Sequence, residues 1–95
     1  MLKIHREILE NFKELKGRAK VVVYGSVAKG NYRLDSDIDV AVISEDKRVK
    51  ELAEKIADKI YLKYGKVVSI KFLLPKDLEK ESAFIKEIKS GRRVV

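Results

Sequence analysis

The chain has 95 residues, of which 45% are hydrophobic and 39% are charged, and its formal net charge is +7. This length predicts a single domain over residues 1–95, because so short a chain has room for one small core and one cleft. With no cysteine and one histidine, His5, the sequence excludes disulfides, thiolate metal sites and a histidine-based zinc site, so any bound metal must be held by oxygen.

The N-terminal segment indicates where the protein is located, and the net charge indicates which partners it favours. The N-terminal residues 1–7 are a mix of polar and apolar side chains without a continuous apolar run, so we expect neither a secretory signal nor a membrane span, and we expect a cytoplasmic location. The positive charge favours anionic partners such as nucleotides, RNA or an acidic protein surface. Basic residues are not interleaved with aromatic ones as in RNA-reading surfaces, so a small basic RNA-binding domain is an alternative that we do not favour.

The first two predicted elements are a helix and a buried strand. Apolar residues at three- and four-residue spacings predict a helix to about Lys16, which Gly17 ends. These residues are Ile4, Ile8, Leu9, Phe12 and Leu15. His5 lies on this helix and is expected at the surface. The valine-rich run over 19–24 predicts a buried strand that leads directly into Gly25-Ser26.

The next segment is predicted to be irregular over 25–36 and to be followed by a strand over 37–43. Ile38, Val40 and Val42 lie on one face of this strand, and Asp37, Asp39 and Ala41 lie on the other. The strand therefore presents an apolar face to the core and a pair of carboxylates to a cleft. Ser44 is the expected N-cap of a helix over 47–64, which Gly65 ends.

The C-terminal third predicts a strand over 67–74, a helix over about 76–90, and an edge strand in the tail at 92–95. In the third strand Val68, Ile70 and Phe72 alternate with Val67, Ser69 and Lys71. The order of elements predicts an α+β fold, a small mixed β-sheet with helices packed on one face and the other face open for a ligand.

The turn after the first strand has the features of a phosphate site. A glycine lets the backbone turn sharply and leaves N–H groups facing an anion, and the Ser26 hydroxyl adds a donor. Gly30 would let the backbone approach a phosphate, and Lys29 and Arg33 would supply positive charge. A Gly25-Ser26 turn alone is weak evidence, because ordinary turns use the same residues.

Asp37 and Asp39 strengthen the case, because carboxylates two residues apart on a strand point the same way and repel each other. Such a pair is tolerated mainly where a cation or strong donors bind it, and Mg²⁺ uses carboxylates beside phosphates. An acidic strand end exposed to water remains open for Asp35 and for one member of the pair.

Gly25-Ser26, ten intervening residues and Asp37-Ile38-Asp39 together resemble the signature of the DNA polymerase β nucleotidyltransferase superfamily. The stretches 25–30 and 35–39 resemble the minimal nucleotidyltransferases in particular. These are stand-alone domains, often encoded beside a helical HEPN-type toxin for which they act as the antitoxin. The resemblance implies a polymerase-β-like fold and the transfer of a nucleoside monophosphate from a triphosphate, expected to be ATP, to a hydroxyl.

The resemblance also implies a role for each matching residue. Asp37 and Asp39 would be the catalytic residues and the ligands of Mg²⁺. The nucleotide-binding residues would be Gly25, Ser26, Lys29, Gly30, Arg33 and Ser36.

The sequence departs from the family pattern at two positions. Ser69 stands where the alternation of the third strand places the expected third carboxylate, and Val27 replaces a frequent arginine. A hydroxyl is a poor ligand for Mg²⁺ and a poor base. The sequence thus leaves two functions open, an enzyme that adds AMP to a tyrosine of a partner toxin, and a nucleotide-binding module that regulates a partner by contact alone.

Overall fold

The computed structural model describes residues 2–30 and 36–95. The helices are α1 (Lys3–Leu9), α2 (Gly25–Lys29), α3 (Lys47–Tyr64) and α4 (Ala83–Lys89), and 3₁₀ segments span Glu10–Leu15 and Pro75–Glu79. The strands are β1 (Lys20–Tyr24), β2 (Ile38–Ile43), β3 (Val68–Leu73) and β4 (Arg92–Arg93).

The four strands form one mixed sheet in the order β3-β2-β1-β4. β1 pairs antiparallel with both β2 and β4, and β2 pairs parallel with β3. A parallel pair needs a long crossover connection, and α3 provides it. The predicted α+β fold with a small mixed sheet is confirmed, as is the edge strand in the C-terminal tail.

One face of the sheet carries the main core. Alternate residues of β1 and β2 pack there against α1, the first 3₁₀ segment and α3, and all of them are buried. They include Val21, Val23, Ile38, Val40 and Val42 from the strands and Ile8, Phe12, Leu15, Ile56 and Ile60 from the helical segments. Burying one such side chain fully contributes about 1.5–3 kcal/mol, so this face supplies most of the stabilisation. Val68, Ile70 and Phe72 of β3 pack against the same cluster, as their alternation predicts.

The short helix α4 packs on the opposite face, so the prediction that the helices pack on one face of the sheet is wrong for this helix. Its Ile85 and Ile88 contact Val22, Ala41 and Ile43, which the strand alternation turns away from the main core. The face available to a ligand is therefore limited to the part of the sheet that α4 does not cover.

The bounds predicted for α3 are confirmed, but the prediction of Ser44 as its N-cap is wrong. The Asp46 side chain accepts a hydrogen bond from the backbone N–H of Arg48 at 2.9 Å. Ser44 is still paired with the sheet, since its N–H donates to the Leu73 carbonyl at 3.0 Å. The chain therefore leaves β2 too late for Ser44 to begin the helix.

The prediction of one continuous helix over 76–90 is also wrong. Asp77 accepts a hydrogen bond from the Leu74 N–H at 2.9 Å and holds a 3₁₀ turn, and Ser82 then caps α4 by accepting from the Ile85 N–H at 3.1 Å. Because each segment has its own cap, the chain breaks between them, and α4 is free to lie against the sheet.

His5 is buried, with 2% of its surface exposed, so its predicted surface position is wrong. It lies three and four residues before Ile8 and Leu9 and shares their side of the helix, which packs inward. Burial, together with the positive charges of Lys66 and the N-terminus, lowers the pKa of His5. Within residues 2–30 and 36–95, no helix is long and apolar enough to cross a membrane.

Candidate active site at the start of β2

The chain turns sharply where β1 ends, and the turn lies against Asp39. Gly25 has φ of 74°, in the left-handed region that favours glycine. A Cβ atom added to Gly25 would lie 2.6 Å from Asp39 Oδ2, closer than non-bonded atoms can approach. Glycine is therefore needed here for two independent reasons, the backbone conformation and the space taken by the Asp39 carboxylate.

Residues 25–29 form the short helix α2, so the prediction of an irregular segment is wrong for these residues. Ser26 lies in the first turn of α2 and is half-buried. Val27, at the position of the frequent arginine, is buried in the main core, where it fixes α2 against the sheet. The local sequence thus places the backbone of Gly25 and Ser26 beside the first residues of β2.

Asp39 lies in the middle of three strands, because it pairs with Tyr24 of β1 on one side and with Ser69 of β3 on the other. Directly paired residues point to the same face of a sheet, so all three side chains share the face opposite the main core. Burial raises the pKa of Asp39, and the nearby carboxylates of Asp37 and Glu87 raise it further. The charged form of Asp39 is thus disfavoured unless a cation compensates it.

Asp37 lies just before β2 and is exposed. Its negative charge is one of the causes that raise the pKa of Asp39. The structure therefore places the Gly25-Ser26 turn against Asp39, and Asp37 lies two residues before Asp39 at the start of the same strand.

The donor set fits a hard divalent cation. Mg²⁺ commonly binds through one or two carboxylates and completes its six ligands with water and substrate phosphates. Among the residues that the structure describes, no group of three Asp, Glu, His or Cys side chains forms a complete metal site. Asp37 and Asp39 suit the mode in which phosphate oxygens supply the remaining ligands.

The other predicted nucleotide-binding residues all lie along the chain between the end of β1 and the start of β2. Lys29 ends α2, and its Nζ lies 3.8 Å from Glu87 Oε1. Gly30 is the C-cap of α2 with φ of 79°, and this conformation alone accounts for glycine. Ser36 is half-buried and directly precedes Asp37. Arg33 lies outside the described residues, and the phosphate contacts of all these residues remain predictions.

Sequence reasoning missed the residues of α4 that border the site. The ring of Phe84 meets Tyr24 edge to face, with centroids 5.7 Å apart. Tyr24 is 7% exposed, and burial, with the charges of Asp39 and Glu87, raises its pKa. The available signal was the helical spacing of Phe84, Glu87 and Ile88, which puts an acidic residue on the side of α4 that packs inward.

Comparisons with known proteins agree with this geometry. The sequence profile of a family described as "Nucleotidyltransferase domain" matches residues 5–95. No curated protein shows significant sequence similarity to the chain.

Three solved structures share the fold. A crystal structure of a toxin–antitoxin with AMP-PNP has a TM-score of 0.64 at 18% identity, covering 99% of this chain and 73% of that one. A toxin–antitoxin named MntA-HpeT, in a mutant with two aspartates changed to glutamates, has a TM-score of 0.62 at 16% identity, covering 94% and 70%. A protein provisionally designated a nucleotidyltransferase has a TM-score of 0.53 at 28% identity, covering 97% and 98%. The match over almost the whole length, on a fold that gathers the glycine-serine turn and the two aspartates, shows that this chain belongs to the nucleotidyltransferase domain family and is a nucleotidyltransferase.

Proposed function

We propose that the chain binds a magnesium complex of ATP between the Gly25-Ser26 turn and the two aspartates, and transfers AMP to a hydroxyl group of a protein partner. The observation that carries this proposal is the contact between the backbone of Gly25 and the carboxylate of Asp39. The turn that would bind the phosphates thus lies beside the carboxylate that would hold the metal, and this arrangement supports nucleotidyl transfer.

The chemistry is an in-line displacement at the α-phosphorus. The oxygen of the acceptor hydroxyl attacks the α-phosphorus and its proton passes to solvent, the bond to the oxygen that bridges the α- and β-phosphates breaks, and pyrophosphate leaves. Magnesium, when bound, neutralises charge on the phosphates and orients them. Gly25 and Ser26 would hold the β- and γ-phosphates with backbone and hydroxyl donors, Lys29 would add a positive charge, and Asp37 and Asp39 would hold the cation.

ATP is the nucleotide that the comparisons favour, because AMP-PNP, an ATP analogue, is present in a structure with the same fold. The two aspartates changed in the MntA-HpeT mutant are two residues apart, as Asp37 and Asp39 are here. Both of these structures are of toxin–antitoxins. We therefore extend the proposal to an antitoxin role, with a helical HEPN-type toxin as the partner and a tyrosine hydroxyl as the acceptor.

The test is transfer of label from ATP labelled at the α-phosphate to the co-purified partner. Asp39→Asn should reduce both the labelling and the binding of a fluorescent ATP analogue. Asp58→Asn, which removes the same charge from the exposed side of α3, is the matched control and should leave both unchanged. Equal labelling by the native chain and Asp39→Asn would contradict the enzymatic proposal.

A second candidate function is regulation of a partner by contact alone, with nucleotide bound but not transferred. The observation in its favour is the neutral Ser69 beside Asp39, where the family pattern has a carboxylate. This function predicts tight nucleotide binding that depends on Asp39, no label on the partner, and inhibition of the toxin that persists without ATP. Labelling of the partner by the native chain would exclude it.

A further inference from the structure

The two edges of the sheet are built differently. β4, the edge beside β1, has two residues, Arg92 and Arg93, and both are exposed. β3, the opposite edge, has six residues, and Lys71 is the only charged one. Short edge strands and charged side chains keep a sheet from pairing with another chain, whereas a long apolar edge strand favours such pairing. One edge is thus protected against a further strand and the other is not.

The outer side of β3 carries backbone groups that the sheet does not use. The carbonyl oxygens of Val67 and Leu73 accept hydrogen bonds from the N–H groups of Ile38 and Ser44, each at 3.0 Å. Because alternate residues of a strand bond to opposite sides, the odd-numbered residues of 67–73 bond to the β2 side and the even-numbered ones point outward. The outward-pointing residues are Val68, Ile70 and Phe72. Within residues 2–30 and 36–95, no strand pairs with this outer side.

The apolar side chains of β3 are only half-buried. Val68, Ile70 and Phe72 pack against the main core, but the β2 residues that they pair with are at most 1% exposed, whereas these three keep part of their surface in solvent. Phe72 also borders a mostly apolar depression of about 230 Å³, together with Val49 and Leu74. A strand paired along this edge would remove the remaining apolar surface from water.

The sequence of β3 is complementary to itself when two copies of the strand pair antiparallel about Ile70. Directly paired residues share a face, so Val68 lies opposite Phe72, and Ser69 lies opposite Lys71. Apolar side chains then meet apolar ones, and the outward-pointing backbone groups of the two strands face each other. The other register that pairs nearly the whole strand is centred on Lys71 and puts two lysine charges opposite each other, which destabilises a sheet.

We propose that the outer edge of β3 is the interface between two copies of this chain, which pair antiparallel about Ile70 and join their sheets into one. Val68 of the second copy lies next to Phe72, at the edge of the apolar depression. Asp39 shares its face of the sheet with Ser69, so the candidate sites of the two copies open to the same side. The inference does not depend on the proposed function, because the pairing uses no residue of the candidate site.

The interface is expected to be weak and to depend on salt. A single pair of short strands buries an area at the low end of specific interfaces, so the dimer should dissociate on dilution. Each copy carries a net charge of +7, and the two charges repel each other. Added salt screens this repulsion and should shift the equilibrium toward the dimer.

The first experiment uses introduced cysteines, since the chain has none. Ser69 and Lys71 of opposite copies form a pair without backbone hydrogen bonds between them, with Cα atoms about 4.5 Å apart, which a disulfide can span. A mixture of S69C and K71C under mild oxidation should therefore give the mixed disulfide as its main dimer, identified by mass spectrometry. K71C alone is the matched control and should give little dimer. L62C, at a position 85% exposed on α3, measures random collision.

The second experiment measures the mass of the native chain by sedimentation over a series of protein and salt concentrations. I70P removes an outward-pointing N–H and takes no hydrogen bond from β2, so it should lose the dimer. I70A truncates the same side chain but keeps the N–H, and should retain more of the dimer than I70P.

A native chain that stays monomeric at every concentration would overturn this inference, and this is also the result if the edge of β3 binds a strand of a different protein. Dimer formation by K71C alone as fast as by the mixture would overturn the register about Ile70. A folded I70P that dimerises as the native chain does would overturn the role of the β3 backbone. If I70P does not fold, the cysteine mixture decides. None of these results changes the expected binding of nucleotide, so the proposed function is tested separately.

Discussion

The two faces of the sheet differ in burial and in charge. On the core face, Val21, Val23, Val40 and Val42 are almost completely buried against α3 and the N-terminal helical segments. On the opposite face, α4 covers Val22 and Ala41, whereas Asp39 is only partly buried, and the charges of Asp37 and Glu87 raise its pKa.

Within the single strand β2, the residues of one face serve stability and those of the other face serve the proposed function. β2 contributes Val40 to the core face and Asp39 to the opposite face, although the two residues are adjacent. Apolar burial stabilises the core face, whereas the carboxylate side carries an electrostatic cost that binding of a cation would remove. Changes on one face should therefore alter stability, and changes on the other should alter binding and transfer.

The largest expected effect is the loss of transfer in Asp39→Asn. Removing the carboxylate that would hold the cation should reduce AMP transfer by about 10³-fold, as for other groups that stabilise charge in a transition state. Initial rates with labelled ATP at saturating Mg²⁺ measure the effect. A loss of less than about tenfold would mean that Asp39 is not a central ligand.

The same variant should have the opposite effect on stability in the absence of metal. The raised pKa of Asp39 means that the folded chain holds this proton more tightly than the unfolded chain, so stability falls as the pH rises through the titration of Asp39. Asp39→Asn removes this contribution and should be more stable than the native chain at pH 7 in EDTA, with the difference shrinking toward pH 3. Urea unfolding at a series of pH values checks the sign, and a less stable Asp39→Asn at pH 7 would contradict it.

On the core face, Ile60→Ala should reduce the free energy of unfolding by about 2–5 kcal/mol, because Ile60 is fully buried and its truncation leaves a cavity. Nucleotide affinity, measured on the folded fraction, should not change. Leu62, 85% exposed on the same helix, gives the control Leu62→Ala, which should stay within about 0.5 kcal/mol of the native chain. A loss of nucleotide affinity in folded Ile60→Ala would show that the two faces are coupled.

Gly25→Ala should reduce both the free energy of unfolding and the affinity for nucleotide. Gly25 has a left-handed backbone conformation at the end of β1, and it also lies against the Asp39 carboxylate. The left-handed conformation costs alanine about 1–2 kcal/mol, and the new methyl group would also displace the Asp39 carboxylate. Gly17 has a similar φ of 82° but has no atom within 4 Å of an added Cβ. Gly17→Ala should therefore show the backbone cost alone and keep nucleotide affinity. Equal nucleotide affinity in the two variants would argue against a site that depends on the contact between Gly25 and Asp39.

The parts of this arrangement that sequence reasoning predicted are those governed by local periodicity. Alternation along β2 and β3 placed Val40 and Ile70 inward and turned Asp39 and Ser69 to the same face. The position of Glu87 could not be predicted in this way, because it depends on where α4 packs. That packing depends in turn on the break before Ser82 and on long-range contacts with β1.

Errors at the ends of elements have a similar origin, because local signals compete with pairing that is not local. Ser44 is a good capping residue by type, but the hydrogen bond from its N–H to β3 keeps it in the sheet. The helix therefore begins later, and Asp46 is its N-cap. His5 is polar by type, but it shares the inward side of its helix with Ile8. In both cases a tertiary contact determined the outcome, and sequence patterns of a few residues do not contain that information.

The smallest expected effect belongs to the α3 cap, which lies on neither face. Asp46→Ala removes the acceptor for the Arg48 N–H and should reduce the free energy of unfolding by about 1 kcal/mol. Ser44→Ala leaves that cap in place. Because the Ser44 hydroxyl bonds are exposed and water can replace them, we expect a change within about 0.5 kcal/mol. Both variants should keep native AMP transfer, since neither residue contacts the carboxylates. A larger loss in Ser44→Ala than in Asp46→Ala, measured by urea unfolding, would mean that the link from Ser44 to the Arg18 carbonyl, and not the cap, holds the start of α3 against the sheet.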